Sequence, residues 1–459
     1  MKIYDLARKA KHKYKAYVKQ QAGRYLSPVR RLERVAPPSC GRFVAMTFDD
    51  GPTVMPTNPP RSERGLTDDL LDTLKKYDAK GTFDVIGTTE FNYPDVAGPT
   101  GSFTWGGIAY DHYPDFEKDS MAGVKNQPDL VRRILEEGHE ITNHGYRHIL
   151  FGPNRIVYGK RVSFENIHKV IEDLSTLHAM VKDGFGATVK MSRPPHYVDG
   201  TRDGHNSYDA YRYMNYQYMA ASFDGGGWQV SGDYQKDVDA MIAPLERALK
   251  ENPDALNGQI IFQKDGCNMS KETPVADALG RQLELLTQYG YKVVTVSELI
   301  ALSPFEDTPD SDPVHAPARA MINAGYCVAR KNNTLQPDRA ITLGELLTFC
   351  ANPETLLSYY RAWVDAGFKA DEEDLKISKA WHIAPSHPYF HAFKTAVASN
   401  IIAAENPSNL RCDTSVTPAL FSKITTALNS GVTKEYTLVN AKEQLAVRDV
   451  LPVLAEILL

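Results

Sequence analysis

Two short segments carry side chains whose types and spacing suit a divalent metal and acid–base chemistry. Asp49 and Asp50 stand side by side directly after an apolar run, and adjacent carboxylates are costly unless a cation or a proton compensates their charge. His144 and His148 are four residues apart, a spacing that places both imidazoles on one face of a helical turn. Two histidines and one carboxylate leave positions on the cation open to water and substrate, which is the pattern of a catalytic metal site.

Three later segments extend this pattern. Arg193-Pro194-Pro195, Asp224-Gly225-Gly226-Gly227-Trp228 and the strand-like run 258–265 follow the acidic pair and the histidine pair along the chain. Together the five segments resemble, in order and approximate spacing, the five motifs of the NodB-like polysaccharide deacetylases, carbohydrate esterase family 4. The resemblance covers about 260 residues. It implies hydrolysis of an acetamide on a glucosamine unit, with release of acetate.

The resemblance assigns a metal site and a general base. Asp50, His144 and His148 match the metal-binding triad, and Zn²⁺ is the expected cation. Asp49 matches the base that deprotonates water, and Arg193 matches the residue that pairs with it, since a nearby guanidinium keeps a carboxylate charged and oriented. Independently of the family, a Lewis-acid metal suits amide hydrolysis because it polarises the carbonyl and lowers the pKa of its water towards 7.

The substrate side of the resemblance is less regular. Trp228 matches a wall of the sugar pocket, and His196 and Tyr197 are expected to contact substrate next to it. Asp224 matches the acid that orients the catalytic histidine, but this chain has Lys264 where the family has that histidine. The departing amine must be protonated, so Lys264 is either a replacement donor or a lysine at an impaired site. His196 is an alternative donor or a packing residue.

The elements that must position these residues alternate between strand-like and helix-like patterns. Such alternation predicts a parallel sheet with helices outside it, closed as a barrel with its active site at the carboxyl ends of the strands. The resemblance implies that this is a distorted (β/α) barrel of the NodB deacetylase type. The long insertion 88–125 is expected near that mouth, because loops of this length are usually functional. The predicted helices are Thr67–Tyr77, Asp129–Glu137, Asp237–Leu249 and Ala276–Tyr289. The predicted strands are Val44–Phe48, Thr82–Ile86, Thr188–Met191, Gln217–Ala221, Gln259–Phe262 and Lys292–Val296.

The barrel is predicted to occupy residues 41–302, between two other regions. Residues 1–40 form a basic N-terminal extension, residues 303–317 a proline-rich acidic linker, and residues 318–459 a smaller helical domain. Within that domain Leu335–Thr342 and Leu410–Thr417 are similar and resemble the helix-loop-helix repeat of S-layer homology domains. Self-similarity predicts a stacked helical module, which is either a structural appendage or a binding module for cell wall or a protein partner.

Composition bounds the remaining possibilities. A net charge of −5 over 459 residues favours neither nucleic acid nor membrane as a partner, and no window is apolar enough for a transmembrane segment. The five cysteines show no disulfide or metal-knuckle spacing, and no secretory signal is visible. The expected location is cytoplasmic, with the cell surface through a non-standard export route as the alternative.

Three functions remain open from the sequence. The first is a metal-dependent N-deacetylase acting on a glycan that contains N-acetylglucosamine. The second is a hydrolase of the same fold that acts on a non-sugar amide or an ester, which the altered later motifs and the insertion allow. The third is a catalytically impaired protein that binds glycan, with Lys264 marking the loss of turnover.

Overall fold

A computed structural model describes residues 23–61, 63–88, 104–105, 108–109, 121–153, 163–268, 270, 272–406, 408–429 and 443–459. The contacts between residues divide the chain into two compact units. Leu32–Ser303 is called the barrel unit below, and the second unit combines residues 1–31 with Pro304–Leu459. None of the helices in the described ranges combines the length and apolarity that a bilayer crossing requires.

The barrel unit is a curled parallel sheet surrounded by helices, and the predicted fold class is confirmed. Its strands follow the order β1-β8-β7-β6-β3-β2-β10-β9, with β11 also paired to β2. The strands are β1 Arg31–Leu32, β2 Arg42–Asp49, β3 Thr82–Val85, β4 Thr104–Trp105, β5 Ile108–Ala109, β6 Glu140–Asn143, β7 Met191–Ser192, β8 Gln217–Met219, β9 Phe223–Asp224, β10 Ile260–Lys264 and β11 Tyr291–Val294. The short strands β4 and β5 form a separate antiparallel pair.

Seven helices belong to this unit in the described residues. They are α1 Leu66–Lys76, α2 Pro128–Glu136, α3 Ile167–Phe185, α4 Ser207–Met214, α5 Tyr234–Glu251, α6 Pro274–Gln288 and α7 Val296–Leu302. The helices that the apolar spacing predicted are present with ends shifted by a few residues. The sequence did not single out α3, although Asn166 caps its start and Gly186 ends it in the left-handed conformation.

Strand β2 lies at the centre of the sheet and carries the acidic pair at its carboxyl end. Its run from Val44 to Phe48 is completely buried, because β3 and β10 flank its second half and β11 flanks its first half, all in parallel. A strand covered on both faces must be apolar, so the first acidic residue marks the point where the strand leaves the core. Asp49 and Asp50 therefore lie at the mouth of the barrel.

The insertion returns to the sheet at this same edge. Most of residues 88–125 lie outside the described residues, but the returning end is fixed by backbone hydrogen bonds. The amide of Val54 donates to the carbonyl of Met121, and the amides of Gly123 and Val124 donate to the carbonyls of Pro52 and Ile86. These contacts anchor the insertion to the loops that follow β2 and β3.

The second unit is helical and has its own apolar core. Phe305, from the segment predicted as a linker, is fully buried in it. Its helices are α8 His315–Asn323, α9 Leu343–Cys350, α10 Pro353–Asp365, α11 Glu372–Trp381, α12 Phe390–Ala398, α13 Pro418–Leu428 and α14 Val447–Leu458. Thr417 caps α13 through its hydroxyl, which accepts the amide of Leu420.

Three loops of the second unit meet in a closed ring of backbone hydrogen bonds. Ile341 donates to the carbonyl of Leu445, Leu445 donates to that of Val416, and Val416 donates back to that of Ile341. Each ring residue stands two positions before the first residue of a helix, α9, α13 or α14. The two similar segments in the sequence thus have a third counterpart at Leu445, which lacks their threonine.

Candidate metal centre and active site

The ends of three neighbouring strands bring charged side chains into one row. Asp49 at the end of β2 stands in register with Asp84 on β3 and with Lys264 on β10. All three side chains are buried. Because the carboxyl ends of parallel strands share one edge of the sheet, this row forms the floor of the barrel mouth.

Asp50 and the two histidines converge on one point. Asp50 Oδ1 lies 3.3 Å from His144 Nε2 and 3.4 Å from His148 Nε2, and one donor atom from each of the three residues lies within 4.8 Å of the others. One carboxylate oxygen and two imidazole nitrogens are donors that Zn²⁺ and similar cations accept, with positions left for water and substrate. The three residues therefore fit a catalytic divalent cation.

A loop, and not the helical turn that the sequence suggested, holds the two histidines. Gly145 has φ 91° and His148 has φ 51°, so the backbone turns through the left-handed region twice and leaves the helical path. Asp173 of α3 braces this loop, since its carboxylate accepts the amide of Tyr146 at 2.7 Å and Nε of Arg147 at 2.8 Å. The imidazole rings are consequently brought to 5.0 Å between centroids.

The other nitrogen of His144 faces two acceptors. Nδ1 lies 2.9 Å from the carbonyl of Arg193 and 2.8 Å from Oδ2 of Asp84. Burial alone would lower the pKa of His144, but Asp84 and Asp49 reverse this and raise the pKa well above its ordinary value. In the absence of a cation the cluster of carboxylates thus favours a proton on this imidazole, and a metal must displace that proton.

Asp49 is held in place by Arg193. The guanidinium donates from Nη1 to Asp49 Oδ1 and to Thr47 Oγ1, and from Nη2 to the carbonyl of Ala220. Burial raises the pKa of Asp49 to about 7, against the lowering effects of Arg193 and His144. A pKa near neutrality is the range in which a carboxylate serves as a general base.

Lys264 is directed at the same cluster. Its side chain is buried at the end of β10, and Nζ lies 3.0 Å from Asp50 Oδ2, the oxygen other than the one nearest the two histidines. Gly227 approaches closely as well, because a Cβ at that position would lie 3.4 Å from Cβ of Lys264. The structure thus places the Lys264 ammonium beside the Asp50 carboxylate, where the family resemblance has a histidine.

Asp224 and Trp228 form a pair on the loop after β9. The indole Nε1 lies 3.2 Å from each oxygen of Asp224, and the amide of Gly226 donates to the same carboxylate. Trp228 is 51% exposed, so about half of its surface is accessible. Among the described contacts none joins Asp224 to Lys264, and the predicted role of Asp224 in orienting the proton donor stays a prediction.

His196 and Tyr197 lie in a tight turn after β7. Both have positive φ, 55° and 57°, which turns the chain back over the metal loop. The His196 ring stands 5.5 Å from the His148 ring, and the Tyr197 ring stands 5.5 Å from the Arg193 guanidinium. The turn therefore places the His196 ring beside His148 and the Tyr197 ring beside Arg193.

Two buried aspartates at the site escaped the sequence analysis. Asp84 lies in β3, where a carboxylate among apolar neighbours requires a partner, and that requirement is the signal that could have revealed it. Asp265 follows Lys264, and burial raises its pKa to about 8 while the Thr67 hydroxyl donates to it. A Cβ on Gly51 would lie only 1.9 Å from Asp265 Oδ2, so glycine is required where the chain turns after the acidic pair.

Known proteins are similar in sequence to part of this unit. Residues 36–218 match the family model described as Polysaccharide deacetylase. This segment, less than half of the chain, resembles that family. It is 25% identical over 266 residues to a peptidoglycan-N-acetylglucosamine deacetylase of Bacillus cereus, covering 57% of this chain and 90% of that protein.

A second relative is the peptidoglycan-N-acetylmuramic acid deacetylase PdaC of Bacillus subtilis, 26% identical over 292 residues. The match covers 63% of this chain but only 45% of PdaC, so the chain spans less than half of that protein. Among solved structures, the chitin deacetylase of Colletotrichum lindemuthianum is 21% identical, with 59% of this chain and 90% of that chain covered and a TM-score of 0.38.

The bacterial relatives of the barrel unit are described as deacetylases of peptidoglycan. The described residues of the barrel unit include an Asp-His-His group able to hold a metal ion.

Proposed function

We propose that the barrel unit removes N-acetyl groups from a glycan that contains N-acetylglucosamine, with Zn²⁺ held by Asp50, His144 and His148. The observation that carries this proposal is the convergence of these three donors within 4.8 Å beside the buried ion pair of Asp49 and Arg193. A metal site alone would suit many proteins, whereas a metal site with an adjacent base of raised pKa suits hydrolysis.

The contacts indicate a separate role for the cation, for Asp49 and for Arg193. A bound divalent cation supplies Lewis acidity, which polarises the acetamide carbonyl and favours loss of a proton from water. Asp49 accepts that proton: Arg193 fixes its Oδ1, while its Oδ2 faces the metal site at 4.0 Å from His144 Nε2. Arg193 keeps the carboxylate oriented and, by its charge, opposes the rise in pKa that burial causes.

Lys264 supplies the proton for the leaving group in this proposal. As water oxygen bonds to the acyl carbon and the carbon–nitrogen bond breaks, the amine nitrogen takes a proton from Nζ, and acetate leaves. The ion pair with Asp50 at 3.0 Å holds Nζ at the site. His196 is the alternative donor, and its position beside His148 keeps it within the same mouth.

The sugar ring is proposed to rest against Trp228 and Tyr197. Both rings are partly exposed, 51% and 38%, and both stand on loops at the carboxyl ends of strands. Aromatic faces present an apolar surface to a sugar ring, while the polar groups at the floor of the barrel mouth contact its acetamide. The glycans named for the bacterial relatives make peptidoglycan fragments, together with chitin oligomers, the first substrates to test.

The decisive experiment measures acetate release from these two substrates by the purified chain loaded with Zn²⁺. We expect release that stops with EDTA and returns with added Zn²⁺. Zn²⁺ binding without acetate from either glycan would contradict the proposal. In that case, turnover of an aryl acetate ester or a simple acetamide would favour the non-sugar hydrolase.

A Lys264→His variant tests the third function, an impaired site that only binds glycan. A rate gain of about tenfold or more with unchanged Zn²⁺ content would show that Lys264 limits turnover and that the remaining machinery is intact. A matched Lys264→Met variant removes the proton and the charge together. It should lose activity if Lys264 is the donor, and an unchanged rate would assign the proton to another group.

We also propose that the second unit is an S-layer-homology-like module that binds cell wall or a protein partner. Support comes from the ring at Ile341, Val416 and Leu445, which places three loop-and-helix segments about a common centre. Sedimentation of the chain with purified cell walls, with and without residues 318–459, tests this role. Cell fractionation would decide between the cytoplasm and the cell surface.

A further inference from the structure

We propose that Asp84 is a positioning residue for the metal site, acting as the anionic partner of His144. The inference rests on the proposed metal site but not on the identity of the substrate. Asp84 is completely buried between Phe83 and Val85, which are also completely buried. A carboxylate in such a strand costs several kcal/mol relative to an apolar side chain unless it is compensated, so its presence calls for a specific partner.

The contacts of Asp84 identify that partner. Thr142 donates from Oγ1 to Asp84 Oδ1 at 2.6 Å, which fixes the plane of the carboxylate. Oδ2 has no hydrogen-bond donor among the described residues and lies 2.8 Å from Nδ1 of His144. The buried oxygen therefore lies beside the imidazole of His144, whose opposite nitrogen, Nε2, is 3.3 Å from Asp50 Oδ1.

This arrangement matters for metal binding because the two imidazole nitrogens are linked electronically. A proton on Nδ1, donated to the carbonyl of Arg193 beside the Asp84 carboxylate, leaves the lone pair of Nε2 for the cation. An anionic partner also makes the imidazole a stronger donor than a carbonyl partner alone, and loss of such partners typically costs about 10–100-fold in metal affinity. His144 and not His148 is thus the ligand that Asp84 positions.

Asp84→Asn is the direct test, since it removes the charge with little change in size. The probe is Zn²⁺ alone, and the measurement is its release rate to a chelator, extrapolated to zero chelator. Release starts from the loaded protein, in which Nε2 carries no proton, so proton competition does not enter. We expect release about tenfold faster or more. A rate within twofold of the wild type would show that the Arg193 carbonyl suffices and would overturn the proposal.

Asp237→Asn is the matched control. Asp237 is also a buried aspartate that accepts one hydrogen bond, from the amide of Ser231 at 2.9 Å, but it lies in α5, apart from the site. Asp237→Asn therefore shows how the loss of a buried carboxylate affects the protein when only folding, and not the metal site, is changed. We expect wild-type Zn²⁺ release from it. Equal acceleration in both variants would assign the effect to general loosening and overturn the proposal.

A spectroscopic measurement on the wild type covers the case in which Asp84→Asn does not fold. Long-range ¹H–¹⁵N correlation of the histidine rings in the Zn²⁺-loaded protein shows which nitrogen of His144 binds the metal and which carries a proton. We expect a protonated Nδ1 and a metal-bound Nε2. Metal binding through Nδ1 would overturn the proposal. Because no glycan is needed, a chain that binds Zn²⁺ in this way but releases no acetate would refute the deacetylase and leave this inference standing.

Discussion

The metal side and the sugar side of the barrel mouth are built differently. Asp50, His144 and His148 are at most 4% exposed, and neighbouring carboxylates and backbone groups hold the surrounding loops. On the sugar side Tyr197 and Trp228 are 38% and 51% exposed and are supported mainly by contacts within or beside their own loops. Under the proposed function, the buried cluster carries out the chemistry and the exposed rings contact the substrate.

Removing a metal ligand should have the largest effect. His148→Ala takes one of three donors from the cation, and we expect Zn²⁺ content near zero and activity at least about a thousandfold lower, since losing the cation removes the Lewis acid. Metal analysis of the dialysed protein and acetate release give the two readouts. If Zn²⁺ occupancy were unchanged, His148 would not be a metal ligand, and the metal side would consist of Asp50 and His144 without it.

Asp49→Asn tests whether Asp49 acts as the general base or as part of the metal site. The amide keeps the shape of the side chain and a contact to Arg193 but accepts no proton, so we expect kcat to fall about 10²–10⁴-fold while Zn²⁺ content stays at the wild-type level. Persistent turnover with full Zn²⁺ occupancy would remove Asp49 from the role of base. Loss of both would make it part of the metal site.

Arg193→Gln should shift the pH dependence of activity. The base must be unprotonated, so activity rises as the pH passes through the pKa of Asp49, which is about 7 without a bound cation. Arg193 lowers this pKa, so removing its charge raises the pKa and moves the acidic limb of the kcat/KM profile to higher pH, by about one unit. Arg193→Lys keeps a charge and should move the limb less, and equal shifts in the two variants would assign the effect to lost packing.

Trp228→Ala should have the smallest effect and should be confined to binding. Loss of an exposed stacking surface is expected to raise KM about three- to tenfold, or 1 kcal/mol or so, with kcat and Zn²⁺ content unchanged. Trp228→Phe is the matched variant, because it keeps an aromatic face but loses the indole contact to Asp224. A large loss of kcat in the alanine variant would mean that the rim also orients the reacting group and that the two sides are less separate.

The same contrast explains what the sequence could predict. The alternation of apolar strands and helices was sufficient for the barrel, and the acidic pair and histidine pair are each local in sequence, so their residue types and spacing were visible. The helical turn was the wrong prediction for His144 and His148, because their loop depends on Asp173, which reaches back from α3. No local pattern contains that contact.

Asp84 and the third ring segment depend on pairings between distant parts of the chain. The register of β3 with β6 sets Asp84 opposite Thr142, and a single strand read alone shows only an acid in an apolar run. Leu445 follows Val416 by 29 residues, whereas Val416 follows Ile341 by 75, and Leu445 precedes an alanine where the other two precede threonine. Because the spacing is unequal and the third segment lacks the threonine, the sequence did not reveal its similarity to the other two. The backbone hydrogen bonds among the three residues show that similarity.

The ring in the second unit also limits how that unit can grow. A solenoid is open-ended, since its last repeat offers the same surface as its first. Here the amide of each of Ile341, Val416 and Leu445 is bonded to the carbonyl of another member, so the cycle closes at three. A fourth segment could join this ring only by breaking one of these three bonds.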